Sequence, residues 1–245
     1  MVAPTDFIVL GHRGLAQHAP ENTLAGFKVA KDNGLTWVEF DIQLTKDGIW
    51  VLFHDDDTQR VAQTKEPLTI AGLTLAQVKT LDVGSYFSPQ FTGTKIPTLA
   101  ETLSTCAELG LNVNVEIKLN AKMPEFALQD LLKQSSEFQK KHLLCFSSFC
   151  HETLEQVRTL DKTTSIGVLC DTFTPEVLET VKKLSPATLN TDHTTLDPTL
   201  IPQLTKQVPV LLYTVNDPQK AQQYKAQGVM GIFTDRIEIA KALLP

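Results

Sequence analysis

The feature that most restricts the fold is an alternation along the chain. Short runs rich in β-branched residues recur with amphipathic stretches between them, the pattern of a parallel sheet whose strands are joined by crossover helices. Eight such runs can be marked, at 7–11, 37–41, 112–118, 142–147, 165–170, 187–192, 208–215 and 229–234. Helices are expected near 22–33, 98–109, 124–140, 150–160, 174–184, 197–206 and 217–227. Three of them open on a cap residue followed by proline, Thr174-Pro175, Asp197-Pro198 and Asp217-Pro218, which suits the first helical turn. With 245 residues, 42% of them hydrophobic, the chain is long enough for one large core, and residues 1–245 are expected to form a single α/β domain, a (β/α)8 TIM barrel. Functional side chains in such a barrel gather at the C-terminal ends of the strands.

One stretch breaks the alternation. Residues 42–97 hold a further strand, polar and turn residues, and the loop-like run from Asp82 to Pro89, so they are expected to form an insertion after the second barrel strand, over the mouth.

Within a strand, residues two apart share a face, so Glu39 and Asp41 project together, as do Glu116 and Lys118. Trp37 and Phe40 are assigned to packing. Both pairs end strands, so three carboxylates from neighbouring strands can converge, and hard oxygen ligands of this kind suit Mg²⁺ or Ca²⁺. The competing reading is a buried Glu116–Lys118 ion pair with no metal.

Asp47-Gly48 between alternating apolar residues predicts a hairpin with a two-residue loop. That register sets Lys46 opposite Ile49 and Asp41 opposite His54, returning His54 to the acidic cluster. His12-Arg13-Gly14 follows the first strand at the same mouth. Arg13 can bind phosphate bidentately, and Gly14 lets backbone approach a ligand. His12 and His54 are therefore candidates for a general acid and base. His18, His142 and His151 read as structural, and His193 as a weaker mouth candidate.

A formal charge of −6 provides no overall basic field, so nucleic acid is not expected as a partner. Residues 1–6 carry no basic n-region, and the apolar run that follows is too short for a signal peptide or membrane span; a cytoplasmic protein without stable membrane insertion is expected. Cys106, Cys145, Cys150 and Cys170 show no zinc-like spacing and are expected to be reduced and to pack.

The segments His12-Arg13-Gly14, Pro20-Glu21-Asn22-Thr23, Glu39-x-Asp41, Thr45-Lys46-Asp47-Gly48 and His54-Asp55 resemble the glycerophosphodiester phosphodiesterase family in order and spacing. The likeness continues through Ile96-Pro97-Thr98-Leu99, Val115-Glu116-Ile117-Lys118, Tyr213-Thr214-Val215-Asn216 and the stretch from Gly228 to Asp235. The resemblance implies a TIM barrel that hydrolyses small-molecule glycerophosphodiesters to sn-glycerol 3-phosphate and an alcohol. It implies His12 and His54 as the acid/base pair, Glu39, Asp41 and Glu116 as ligands of Mg²⁺ or Ca²⁺, and Arg13 and Lys118 as phosphate contacts. Tyr213 stands where the family commonly has tryptophan, Met230 where it often has aspartate, and Arg60-Val61-Ala62 where Arg-Thr-Thr is frequent; these positions bear on alcohol preference. Two other readings stay open at this point. One is a related barrel acting on lysophospholipids or sphingomyelin, with Tyr86, Phe87 and Phe91 as an apolar lip; the other is a silent barrel serving as a binding or scaffold protein.

Overall fold

A computed structural model describes residues 7–118 and 123–243. Residues 1–6, which bear on the expected location, lie outside the described residues. The strands are β1 (Ile8–Gly11), β2 (Trp37–Leu44), β3 (Trp50–Leu52), β4 (Asn112–Ile117), β5 (Leu144–Ser148), β6 (Ser165–Cys170), β7 (Thr188–Asp192), β8 (Val210–Tyr213) and β9 (Gly231–Thr234). All except β3 run parallel in the order β1-β9-β8-β7-β6-β5-β4-β2, and a β1–β2 pairing closes the ring. The chain is a TIM barrel, and each of the eight expected strands is one of its staves. No described helix is long and apolar enough to cross a membrane.

The two faces of the strands do different work. Outward residues such as Val9, Val38, Phe40, Val113, Val115, Val168 and Ile232 are at most 2% exposed and join the apolar stripes of the helices in the main core. Phe40 packs on Phe27 of the first helix with ring centroids 5.5 Å apart. Inward, Ile8, Leu10, Leu211 and Phe233 form a smaller plug, against which Trp37 packs. Trp37 thus packs as expected, but from the face that Glu39 and Asp41 share, because all three positions have one parity.

Cap chemistry explains where the helices start. The Thr174 side chain accepts from the Val177 N–H, Asp197 from Thr199, and Asp217 from Gln219 and Lys220, each ahead of a proline in the first turn. The expected helix at 197–206 is shorter, a 3₁₀ turn Pro198–Leu200 running into Ile201–Leu204. A closing helix, Ile237–Leu243, was not among the sequence expectations; it seals Ile239 and Ala240 into the core.

Between β2 and the helix Leu99–Leu109 the chain builds a satellite around Val51, Phe53, Val61, Ile70, Val78, Val83 and Ile96. The Asp82 loop is organised by that carboxylate, which accepts from the backbone N–H groups of Gly84, Ser85 and Gly93. The hairpin leading into the satellite corrects the expected register by one residue. Ile42 pairs with Leu52 and Leu44 with Trp50, and the Phe53 N–H donates to the Asp41 carbonyl at 3.1 Å. The partner of Asp41 is therefore Phe53, not His54. The loop takes three residues because Thr45 and Ile49 still bond at 3.0 Å and Gly48 adopts φ +79°, the left-handed position that ends a three-residue hairpin. Thr45 holds this form by donating its hydroxyl to Asp47 and accepting the Ile49 N–H.

Gly231 is where the barrel closes most tightly. A Cβ there would lie 2.3 Å from Ile8 Cγ1 and 2.4 Å from the Ile8 carbonyl oxygen, and backbone of a paired strand cannot retreat. Gly231→Ala is expected to destabilise the protein by about 2–3 kcal/mol and lower Tm by about 5 °C or more. Calorimetric melting checks this, and an unchanged Tm would refute it.

Candidate active site

The parallel register of β2 on β4 sets Asp41 beside Glu116 and Glu39 beside Asn114. Glu39, Asp41 and Glu116 each bring a carboxylate oxygen to within 4.8 Å of the others. Glu39 and Asp41 are buried, and Glu116 nearly so. Burial, with Asp41 and Glu116 alongside, pushes the Glu39 carboxyl well above the usual range. Burial and Asp41 likewise push Glu116 up to about 7, despite Lys118. Lys118 Nζ lies 3.0 Å from Glu116 and 4.0 Å from Asp41. The ion pair anticipated as a rival to metal binding is present, yet it leaves the cluster short of positive charge. Buried, mutually repelling, all-oxygen donors fit a hard divalent cation.

His12 to Gly14 form a single 3₁₀ turn at the end of β1. Arg13 and Asn22 have φ of +49° and +56°, a conformation that side chains rarely adopt without compensation. The compensation comes from the acidic cluster. The Arg13 N–H donates to Glu39 at 2.9 Å, while the Asn22 amide donates to Asp41 at 2.9 Å and accepts the Asp41 N–H at 3.1 Å. Gly14 differs from expectation: it is buried, and its close approach is to the helix at Gly26, whose backbone carbon would lie 3.0 Å from a Cβ on Gly14. The glycine docks the turn on its helix. Arg13 faces the cavity, but its guanidinium is already bonded to Glu21 at 3.0 Å and lies 3.6 Å from Asp41.

His54 reaches the mouth despite the changed register because Gln43 donates to the carbonyls of Phe53, His54 and Asp55 at 3.2, 3.2 and 2.8 Å. Its Nδ1 lies 2.8 Å from Asp55 Oδ1, and burial lowers its pKa. Asp55 is clamped by Arg60 at 2.6 and 2.8 Å, and the other edge of the same guanidinium grips Glu21 with two bonds of 2.7 Å. Against the upward pull of burial, Arg60 and His54 hold Asp55 down at about 2. Glu21, His54 and Asp55 also cluster closely enough to hold a metal, but Arg60 already supplies their positive charge. Arg60→Ala takes two bonds from the buried Glu21, leaving it Arg13 alone, and is expected to cost about 1–3 kcal/mol. Lys79→Ala, which removes a surface partner of Glu101, should cost under about 1 kcal/mol. Denaturant midpoints compare the two, and equal losses would refute the clamp.

A cavity of about 500 Å³ opens here, lined on the β1, β2 and β4 side by His12, Arg13, Glu39, Glu116 and Lys118, with His54 above. Phe149, Leu169, Tyr213 and Phe233 line the other side, with Asp171. Tyr213 sits edge-on between Phe149 and Phe233, with centroids 6.2 and 6.4 Å away, and its hydroxyl donates to the Cys170 carbonyl at 2.9 Å. The other histidines are held elsewhere. His18 accepts the Ile237 N–H, His142 stacks on Phe138, His151 contacts the Leu169 carbonyl, and His193 bonds the Tyr224 hydroxyl. The four cysteines are free thiols. Residues to which the sequence assigned no part in the site include Gln43, Glu21, Asp55, Arg60 and Asn22; Glu21, Asn22, Asp55 and Arg60 lay inside quoted motifs, whereas Gln43 had no local signal.

A barrel whose charged wall and aromatic wall meet at the C-terminal ends of its strands has the site of a TIM-barrel enzyme. Residues 12–239 match the model of the Glycerophosphoryl diester phosphodiesterase family, and the chain belongs to that family. It is 31% identical over 229 residues to a glycerophosphodiester phosphodiesterase of Caldanaerobacter subterraneus subsp. tengcongensis, covering 93% of each chain. Among solved structures it is similar to a phosphodiesterase from Oleispira antarctica in complex with the product sn-glycerol-3-phosphate, with TM-score 0.83, 31% identity and 96% of both chains covered. The glycerophosphodiester phosphodiesterase of Thermotoga maritima is another, with TM-score 0.75 and 28% identity over 95% of this chain and 96% of that one.

Proposed function

We propose that this chain hydrolyses glycerophosphodiesters to sn-glycerol 3-phosphate and an alcohol, with His12 and His54 as the general acid/base pair. The observation that carries the reading is the meeting of both imidazoles with Glu39, Glu116, Arg13 and Lys118 around one cavity, in a chain similar to an enzyme crystallised with sn-glycerol-3-phosphate. Glu39, Asp41 and Glu116 would hold Mg²⁺ or Ca²⁺. Such a cation, when bound, supplies Lewis-acid stabilisation of charge on the phosphoryl oxygens.

The chain's own residues do the rest. Arg13 and Lys118 place positive charge against the phosphate and orient it. One histidine takes a proton from the attacking water as its oxygen bonds to phosphorus. The other gives a proton to the departing alkoxide as the P–O bond to the alcohol breaks, so glycerol 3-phosphate and the alcohol leave and proton exchange with solvent resets the two imidazoles. The aromatic wall shields the substrate's substituents from water, and Tyr213, in the place of the commoner tryptophan, shapes the room for the alcohol. We read the 42–97 segment as an insertion of a single domain acting on a small molecule, with no nucleic-acid or bilayer surface involved.

The test is a panel of glycerophosphodiesters, with a lysophospholipid of the same headgroup alongside, assayed for the released headgroup alcohol, and for glycerol 3-phosphate from the diesters, in Mg²⁺ and in Ca²⁺. Release from the diesters alone is expected. Turnover of the lysophospholipid but not of the diesters would overturn the assignment.

A further inference from the structure

The residues that end two of the motifs quoted above, Asn216 and Asp235, received no role in the reaction. They meet at His12. Asp235 Oδ1 lies 2.7 Å from His12 Nδ1, and Asp235 Oδ2 accepts the Asn216 amide N–H at 2.8 Å. The orientation of Asn216 is itself determined. Its Oδ1 accepts the Asp235 backbone N–H at 2.9 Å and the Thr234 hydroxyl at 3.0 Å. A backbone N–H can only donate, so the amide oxygen must face it, and the NH₂ group must face the carboxylate. Burial pushes the Asp235 carboxyl up, but the bond and charge of His12 outweigh it, together with Asn216, and keep it below its ordinary value.

We infer that Asp235, locked by Asn216, is a positioning residue that sets the tautomer and direction of His12, an inference that rests on His12 being one of the acid/base pair. An ionised carboxylate can only accept, so Nδ1 of His12 must carry a proton and Nε2 is the nitrogen left for substrate. This serves either role. Neutral His12 then offers the Nε2 lone pair as base, and imidazolium offers Nε2–H as acid while Asp235 balances its charge. His54 is served differently, because its partner Asp55 is shared with Arg60, whereas Asp235 is held by a neutral amide.

The lock makes a specific demand on one substitution. In Asp235→Asn, the fixed NH₂ of Asn216 calls for an oxygen opposite it, which turns the new amide's NH₂ toward His12 Nδ1. Nδ1 must then accept, the proton moves to Nε2, and neutral His12 has neither a lone pair nor an acidic proton to use on substrate.

The experiment compares D235N, N216A and H12A in steady-state kinetics, and reads the His12 ring by ¹⁵N NMR in the resting protein. D235N is expected to lose roughly 10²-fold or more in kcat, with KM within about threefold of wild type. Its His12 should change from the Nδ1–H to the Nε2–H form. N216A keeps the carboxylate but frees it to turn, and about a tenfold loss in kcat at unchanged KM is expected; should D235N not fold, this variant decides. D235N turnover within about threefold of wild type, a slow D235N whose His12 keeps the wild-type tautomer, or an N216A with wild-type kcat would each overturn the inference. H12A with near-normal kcat would instead overturn the acid/base reading on which it stands.

Discussion

His12→Ala and His54→Ala are each expected to lower kcat on a glycerophosphodiester by about 10²–10⁴-fold, the range for losing a general acid or base. Both rings line the cavity, and each has its Nδ1 taken by a carboxylate, Asp235 at 2.7 Å and Asp55 at 2.8 Å. A ring fastened through Nδ1 presents Nε2 to whatever occupies the cavity. Neither ring belongs to the apolar core, so the folded state should survive, and circular dichroism with a melting curve separates lost chemistry from lost structure. The double variant should be little slower than the worse single one, because residues acting as a unit are not additive. Near-normal turnover in either single variant would remove that histidine from the mechanism.

Removing divalent cations with a chelator is expected to abolish turnover, and Mg²⁺ or Ca²⁺ to restore it. The charge state of Glu39 and Glu116 adds a dependence on pH. Both carboxyls are raised by burial and by their acidic neighbours, Glu116 to about 7. Binding a cation needs the carboxylate forms, so protons must leave when it binds below that pH. Affinity should therefore fall on acidification below about pH 7, by up to tenfold per unit for each proton released. Calorimetry in two buffers of different ionisation enthalpy counts those protons. Stability follows with a fixed sign. A carboxyl whose folded pKa lies above its unfolded value holds its proton more tightly in the native state, so native stability falls as pH rises through the window between the two values. The cation-free protein should lose stability from about pH 4.5 to about pH 7 on account of Glu116, with Glu39 acting in the same direction. The gain in Tm on adding cation should be larger at pH 8 than at pH 5.5. Glu116→Gln should flatten that pH dependence and weaken cation binding together. Cation affinity independent of pH, or turnover indifferent to chelation, would refute the assignment of the acidic cluster.

Much of the site was legible because its parts obey local rules. The two-residue period of a strand places Glu39 with Asp41 on one face, and the barrel rule places both at the mouth; the structure sets them with Glu116 as the register of β2 on β4 requires. The cap-proline pairs at Thr174, Asp197 and Asp217 mark helix starts, since a cap hydrogen bond spans only a few residues. The hairpin shows where local reading stops. Asp47-Gly48 does mark a turn, but a two-residue and a three-residue loop share that signature. The choice fell to the Thr45 side chain and to the satellite core, which buries Val51 and Phe53.

By itself the sequence determined the eight strands, their alternation with helices, the shared faces of Glu39 with Asp41 and of Glu116 with Lys118, and the presence of His12 and His54 beside strand ends. Tertiary structure alone decided which groups complete them. Asp235 is 223 residues from His12, and Arg60 is 39 residues from Glu21. No periodicity or capping rule spans such distances, because a side chain's partner is chosen by which strands close the ring and which charges compete in the buried space there. Barrel closure between β1 and β9 brings Asp235 to His12, and the satellite brings Arg60 to Glu21 and Asp55. The candidate reactive groups, and Asp55 beside His54, were readable from their neighbours in the chain, while the placing of Asp235 on His12 and of Arg60 on Glu21 became identifiable only once the ring was closed.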